Sequence, residues 1–190
     1  IAATNAWLTS HTNNSWARYD KDHGYVCTFT GLVIKSARAH VFHLGDSRAY
    51  RVQDRGLEQL TRDHRQWISP DKSYLGRALG VNDPVEIDYH TVPVAPGDMF
   101  LLVTDGIYEV LGSSDMAAII AENADDLNMA AKTLVSAAYD RGSDDNLTAQ
   151  ILRVEQIPQP KLHELQQHAA ELPFPPELRA RSLIDGFEVV

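Results

Sequence analysis

Short apolar runs along the chain end in an acidic residue, and the clearest of them covers residues 100–103. Four consecutive apolar residues there lead into Thr104-Asp105-Gly106. A run this short, preceded by the turn-forming Pro96-Gly97-Asp98, is typical of a strand buried on both faces. Apolar residues at helical spacing then continue through residues 107–111. Asp105 is therefore predicted to stand where a buried strand ends and a helix begins.

The rest of the pattern predicts an α+β domain. Strands are predicted where β-branched, aromatic and small residues cluster between turn formers, at residues 25–34, 39–44, 49–52, 57–60, 85–92, 99–103 and 147–154. Helices are predicted at residues 113–121 and 125–139, with the end of another at residues 2–8. Residues 9–23 and 61–84 are rich in turn formers and predicted to be loops, the longer one functional. Two successive helices among antiparallel strands favour helices laid on a sheet over alternating βαβ units.

Two further acids stand at predicted strand ends. Asp46 follows an apolar run within Gly45-Asp46-Ser47, which predicts a bulge that re-aims the carboxylate. Asp145 stands just before the last strand. Together with Asp105 these carboxylates indicate one acidic site, of the oxygen-rich kind that Mg²⁺ or Mn²⁺ prefers. The alternative role for Asp105 is a helix cap, a position that Asp favours.

Composition narrows the class of protein. The chain has 190 residues, is 44% hydrophobic and carries a net charge of −9. This predicts one globular domain, and the acidic balance argues against nucleic acid as a partner. Cys27 is the single cysteine, so no internal disulfide can form; in an apolar run, it is expected to be a buried thiol. No apolar stretch approaches the roughly 18 residues of a membrane helix, and a reducing cytoplasm is the expected location.

The composition changes after residue 154. Five of the nine prolines lie in the last part of the chain, so residues 155–182 are predicted to be a linker. Residues 183–190 turn apolar again and are predicted to begin a following domain. The preceding residues, 1–154, are predicted to form one domain. Because the chain begins with Ile1, we expect it to be a piece of a longer protein.

Five short motifs, in order, resemble those of the metal-dependent type 2C (PPM-type) Ser/Thr protein phosphatases in their bacterial form. They are Gly45-Asp46-Ser47-Arg48-Ala49-Tyr50, Leu60-Thr61-Arg62-Asp63-His64, Arg77-Ala78-Leu79-Gly80, Thr104-Asp105-Gly106 and Ser143-Asp144-Asp145-Asn146. Each motif alone is weak, but five in the family's order and at similar spacing are specific. The resemblance covers about residues 24–154.

The resemblance implies an αββα sandwich with a centre of two Mg²⁺ or Mn²⁺ ions between its sheets. It implies that Asp105 and Asp145 are core metal ligands and that Asp46 serves a third, weaker ion together with Asp105. Residues 61–84 would form a flap beside the site, with Asp63, His64 and Arg77 in the flap and substrate region. The implied reaction is the hydrolysis of phosphoserine or phosphothreonine on a protein by metal-activated water, with no side chain acting as acid or base.

Two motifs of the family are absent: a phosphate-binding Arg followed by Asn-Glu-Asp, and the Asp-Gly-x-Gly-Gly that supplies a bridging aspartate. The family places both upstream of Ile1. The chain is therefore expected to be either a fragment of an active phosphatase or a non-catalytic, phosphatase-like module that regulates a linked kinase. Residues 183–190 are similar to the lead-in of a kinase N-lobe, as in bacterial phosphatase–kinase fusions, which predicts a covalently linked kinase domain.

Overall fold

The structure is a computed structural model that describes residues 1–19, 24–54, 56–69, 72–157, 183–184 and 187–188. By its internal contacts the chain divides into two compact units, residues 1–157 and residues 158–190. Most of the predicted linker lies outside the described residues, and the predicted domain boundaries remain predictions.

Two antiparallel sheets form the body of the first unit. In chain order its strands are β1 (Phe29–Lys35), β2 (Arg38–Leu44), β3 (Arg48–Gln53), β4 (Gly56–Gln59), β5 (Arg65–Ser69), β6 (Lys72–Leu75), β7 (Asp88–Pro93), β8 (Met99–Val103) and β9 (Ala149–Arg153). One sheet has the order β1-β2-β7 and the other β4-β3-β8-β9, while β5 and β6 form a hairpin. The second unit contributes the short pair β10 (Leu183–Ile184) and β11 (Phe187–Glu188). The predicted class, antiparallel sheets with helices, is confirmed.

The helices are α1 (Ala2–Asn13), α2 (Asp105–Tyr108), α3 (Ser113–Glu122) and α4 (Leu127–Asp140), with a short 3-10 turn at Trp16–Tyr19. Helix α4 begins after Asp126, whose side chain accepts a hydrogen bond from the Met129 backbone N–H at 3.0 Å. The fully buried Ile120 of α3 and Leu134 of α4 share one apolar core with β8. The two helices predicted in succession are confirmed, and they pack on the same sheet.

Strand β8 carries two hydrophobic cores, one on each face. Phe100 packs with Ala39 of the first sheet, and neither side chain has any exposed area. Leu101 and Val103 point the other way, into the core beneath the helices. Successive residues of a strand face opposite sides, so an apolar run of this kind needs apolar partners on both sides. The prediction of a strand buried on both faces is confirmed, and its end is held rigidly.

The Gly45–Ser47 segment is not the predicted bulge within one strand. Strand β2 belongs to the first sheet and β3 to the second, so the three residues carry the chain from one sheet to the other. Gly45 makes this passage possible, because it has a φ of 112° and a Cβ there would lie 2.5 Å from Thr28. Asp46 thus stands at the junction of the two sheets.

Several other predictions from the pattern were wrong in extent. Residues 9–23 were predicted to be a loop, but α1 continues to Asn13 because tertiary contacts hold it: the buried Asn5 accepts a hydrogen bond from Gly80 N–H at 2.9 Å. The predicted loop 61–84 contains the β5–β6 hairpin, closed by a 2.7 Å bond from Gly76 N–H to the His64 carbonyl.

The strand predicted from residue 25 begins at Phe29, since Cys27 makes only an isolated bridge to Leu79. Cys27 is exposed, not buried as expected. The strand predicted from residue 85 begins at Asp88. None of the helices in the described part of the chain combines the length and apolar character that crossing a bilayer requires.

Candidate metal centre

The structure brings two of the three predicted acids to one point. Asp46 lies in the passage between the sheets, and Asp105 is the first residue of α2, directly after β8. Both carboxylates bind the same guanidinium, that of Arg65. Their convergence follows from the fold, because β8 pairs with β3, the strand that follows Asp46.

Asp145 is fastened beside Asp105 by the close approach of two backbone segments. A Cβ on Gly106 would lie 2.7 Å from the Asn146 carbonyl and 3.2 Å from the Asp145 Cβ, so only glycine fits there. The Ser143 hydroxyl donates to the Gly106 carbonyl at 2.7 Å, and the Thr104 hydroxyl donates to the Asn146 carbonyl at 2.9 Å. The loop that carries Asp145 is thereby tied to the end of β8.

The pKa of Asp105 responds to the charges of the other two acids. Burial raises the pKa of Asp105 above its ordinary value, and the negative charges of Asp46 and Asp145 raise it further. The Arg65 ion pair and the Gly106 N–H offset only part of this effect. Asp105 is not the cap of α2: that position belongs to Thr104, and the Asp105 carboxylate accepts from the Gly106 N–H at 3.0 Å.

Arg65, which the sequence analysis did not single out, gathers three carboxylates. Its Nε donates to Asp46 at 2.6 Å, one Nη donates to Asp105 at 2.8 Å, and the other donates to Glu109 at 2.5 Å. Burial by itself lowers the pKa of Arg65, but the hydrogen bonds to Asp46 and Glu109 outweigh burial and raise it. Hydrogen bonds between a guanidinium and carboxylates are charge-assisted and belong to the strong kind.

Asp63 does not enter the acidic cluster; it pairs with Arg48 instead. The Arg48 guanidinium donates twice to Asp63, at 2.9 and 2.6 Å, and its carbon lies 3.5 Å from the centre of the Tyr108 ring. The Tyr108 hydroxyl in turn donates to the Asp46 carbonyl at 2.9 Å. Arg48 and Tyr108 therefore brace the Asp46 segment against α2.

His64 and Arg77 form a second brace on the other side of Asp46. The His64 ring, only 8% exposed, accepts at Nδ1 from the Gly45 backbone N–H at 3.1 Å, so its proton lies on Nε2. Nε2 donates to Asp88 at 2.9 Å, and Arg77, which also contacts His64, donates to Asp88 at 2.9 Å. Burial raises the pKa of Asp88, but the bonds from His64 and Arg77 outweigh it and lower that pKa.

The donor chemistry of the cluster fits a hard divalent cation, because carboxylate oxygens are the ligands such ions prefer. The cluster already holds a cation, the Arg65 guanidinium, where a metal would be expected. Within the described ranges, no three His, Cys, Asp or Glu side chains form a ready-made metal site. The carboxylates of Asp46 and Asp105, which have this donor chemistry, are bonded to Arg65 instead.

The fold is similar to that of solved bacterial serine/threonine phosphatases. The chain belongs to the family described as Stage II sporulation protein E (SpoIIE), whose model matches residues 3–155. Among solved structures it is similar to PppA of Pseudomonas aeruginosa, described as a key regulatory component of T6SS, with a TM-score of 0.71 and 27% identity over 80% of this chain and 66% of that one.

Relatives of known sequence are named as phosphatases. The serine/threonine phosphatase stp of Listeria monocytogenes is 30% identical over 147 residues, which cover 70% of this chain and 57% of that protein. The catalytic domain of the serine/threonine protein phosphatase PstP, solved with 2 manganese ions, has a TM-score of 0.66 at 23% identity over 80% of this chain, and 67% of that domain is covered. The type 2C resemblance is thus confirmed, and the chain spans less than two thirds of the Listeria relative.

Proposed function

We propose that this chain is the larger part of a divalent-cation-dependent phosphatase that hydrolyses phosphoserine or phosphothreonine on proteins. The observation that carries the proposal is the convergence of Asp46 and Asp105 on one cation at the junction of two sheets. The similarity to the Listeria phosphatase supports the reaction. The two manganese ions in the PstP structure support the kind of cofactor.

In this proposal Asp105 and Asp145 hold two ions, Mg²⁺ or Mn²⁺, and Asp46 joins Asp105 at a third, weaker one. When bound, the ions would lower the pKa of a water molecule and neutralise the oxygens of the phosphate. The chain itself keeps the acids in place. Gly106 lets the Asp145 loop approach α2, and Tyr108 and His64 hold the Asp46 segment through its backbone.

A second candidate is a non-catalytic module that regulates a linked kinase. One observation favours it: the carboxylates meant for metal are bonded to Arg65. The expected bridging Asp-Gly-x-Gly-Gly is also absent from the sequence. A linked kinase domain and a cytoplasmic location, like a role in bacterial signalling, rest on the sequence alone and remain part of this proposal.

The deciding experiment is Mn²⁺-dependent hydrolysis of a phosphothreonine peptide, measured for this chain and for its full reading frame. The test variant is Asp105→Asn, and the matched control is Asp140→Asn, which removes an exposed acid at the end of α4. We expect Asp105→Asn to lower the rate at least about 100-fold, because losing a metal ligand should cost more than losing a residue that only supports a ligand. The control is expected to keep the rate.

The outcomes separate the two candidates. Activity that needs Mn²⁺ and disappears only in Asp105→Asn supports the phosphatase. If the full reading frame folds, binds Mn²⁺ and still releases no phosphate, catalysis is excluded and the regulatory module becomes the better account.

A further inference from the structure

We propose that Arg65 is a built-in competitor of the divalent cation: its guanidinium and the metal use the same carboxylates, so metal binding requires Arg65 to leave. The inference rests on the proposed function and adds a regulatory step to the same site. It makes the β5–β6 hairpin, which begins at Arg65, responsive to the cation.

The competition is a matter of shared atoms. Arg65 binds the Oδ2 oxygen of Asp46 and the Oδ2 oxygen of Asp105, the two acids that stand at the sheet junction. Both bonds are of charge-assisted length, and the side chain of Asp46 is only 9% exposed. A metal held by both carboxylates would bind the lone pairs of these oxygens and would occupy the space that the guanidinium now fills. The two cations cannot be held there together.

Charge favours the exchange. Arg65 contributes one positive charge to a cluster that contains Asp46, Asp105 and Glu109, and Asp145 is near enough to act on Asp105. One guanidinium therefore leaves the cluster with excess negative charge, which a divalent ion neutralises more completely. A divalent ion and a guanidinium also repel each other, so the ion's arrival pushes Arg65 outward.

The fold allows Arg65 to move without disturbing the acids. Its neighbour His64 is held by Gly45 and Asp88, and the Gly76 N–H closes the hairpin on the His64 carbonyl. The hairpin is thus anchored at His64, the residue before Arg65. Arg65 is the first residue of β5, and its guanidinium extends from there to the acidic cluster. When the guanidinium leaves the cluster, the hairpin loses this contact but stays anchored at His64.

The test is Mn²⁺ affinity, read from the electron paramagnetic resonance signal of free Mn²⁺, so it does not depend on activity. The variant is Arg65→Gln, and the matched control is Arg62→Gln, which removes the same charge from an exposed side chain three residues earlier. We expect Arg65→Gln to bind Mn²⁺ about tenfold more tightly than the unchanged chain, the size of one charge-assisted bond. Arg62→Gln is expected to stay within about twofold.

A second variant guards against misfolding. Arg65→Lys keeps the charge but, with a compact ammonium in place of a planar fork, loses the three-way contact. Its affinity for Mn²⁺ is expected to lie between those of the unchanged chain and Arg65→Gln. In the unchanged chain, Mn²⁺ is expected to speed hydrogen exchange in β5 and β6, because the hairpin loses its hold on the cluster.

Equal Mn²⁺ affinity in Arg65→Gln and the unchanged chain overturns the competition and leaves the proposed function standing. The same gain in Arg62→Gln also overturns it, since the effect would then be general charge. If neither the full reading frame nor its Arg65→Gln variant binds Mn²⁺, both the competition and the metal role of Asp105 fail together.

Discussion

Two kinds of charged network meet at the Asp46 segment, and they differ in how their charges balance. In the cluster around Arg65, one guanidinium faces three carboxylates. In the braces, each acid has its own partner: Arg48 with Asp63, and His64 with Asp88. The pKa values respond in opposite directions, since the pKa of Asp105 is raised while that of Asp88 is lowered.

This difference in charge balance distinguishes the residues that stabilise the fold from the residues that are suited to bind an ion. A balanced pair stabilises the fold and gains nothing from a further ion. An unbalanced cluster costs stability and persists only when the surrounding fold holds it, which is how binding sites are built. The braces therefore serve to hold the acids of the cluster in place.

Removing the buried ring of the brace is expected to have the largest effect. In His64→Ala, the Gly45 N–H loses its acceptor and Asp88 loses a donor. We expect the free energy of unfolding to fall by about 2–3 kcal/mol, since a buried donor is left unpaired. Urea unfolding of the metal-free chain measures it. His40→Ala, which loses only a surface contact with Tyr89, is the control and should cost about 0.5 kcal/mol; equal losses in both would contradict the brace.

Neutralising one acid in each network should change stability in opposite directions. Asp63→Asn breaks a half-buried pair with Arg48, so unfolding should become easier by about 1 kcal/mol. Asp105→Asn removes a carboxylate whose raised pKa makes its ionisation unfavourable in the folded state. Without divalent ions at neutral pH it should stabilise the chain by less than about 1 kcal/mol. Thermal unfolding in a chelator compares them, and a shift of the same sign in both would remove the distinction.

The smallest expected effect is a dependence on pH through His43. Burial lowers the pKa of His43 below 6.5, and the nearby His64 lowers it further. The unfolded chain therefore binds a proton before the folded chain does, so stability falls as the pH drops below about 6.5. The loss is at most about 1.4 kcal/mol per pH unit. Urea unfolding between about pH 7 and pH 5 should show a shallower slope in His43→Gln; an unchanged slope would assign the effect to another group.

The apolar pattern predicted much of the fold, because burial decides it. The run at residues 100–103 has no polar residue to place in water, so it had to be a strand with a core on each side. Asp46 and Asp105 could be predicted as neighbours because they follow strand ends. The sequence did not predict which sheet each strand joins. The same three residues, Gly45-Asp46-Ser47, are compatible with a bulge inside one strand and with a connection between two sheets.

Arg65 and Glu109 escaped the sequence analysis for a physical reason. Their partners are distant in the chain, and an arginine in a charged segment usually faces solvent. Only the fold brings the hairpin to the end of β8. The pattern predicts a loop where the hairpin lies, because its strands are short and charged residues, Pro70 and Gly76 interrupt the segment. The spacing of Glu109 could have predicted its place near the site. It lies one helical turn after Asp105, and residues four apart share a helix face.

The two-faced strand β8 has a consequence for the order in which the chain can be made. It pairs with β3, far earlier in the sequence, and with β9, far later. Contacts between such distant segments form slowly, and neither core can close while β9 is still unmade. A ribosome must therefore release most of this domain before it can fold, and until then the apolar run at residues 100–103 is exposed and prone to aggregation.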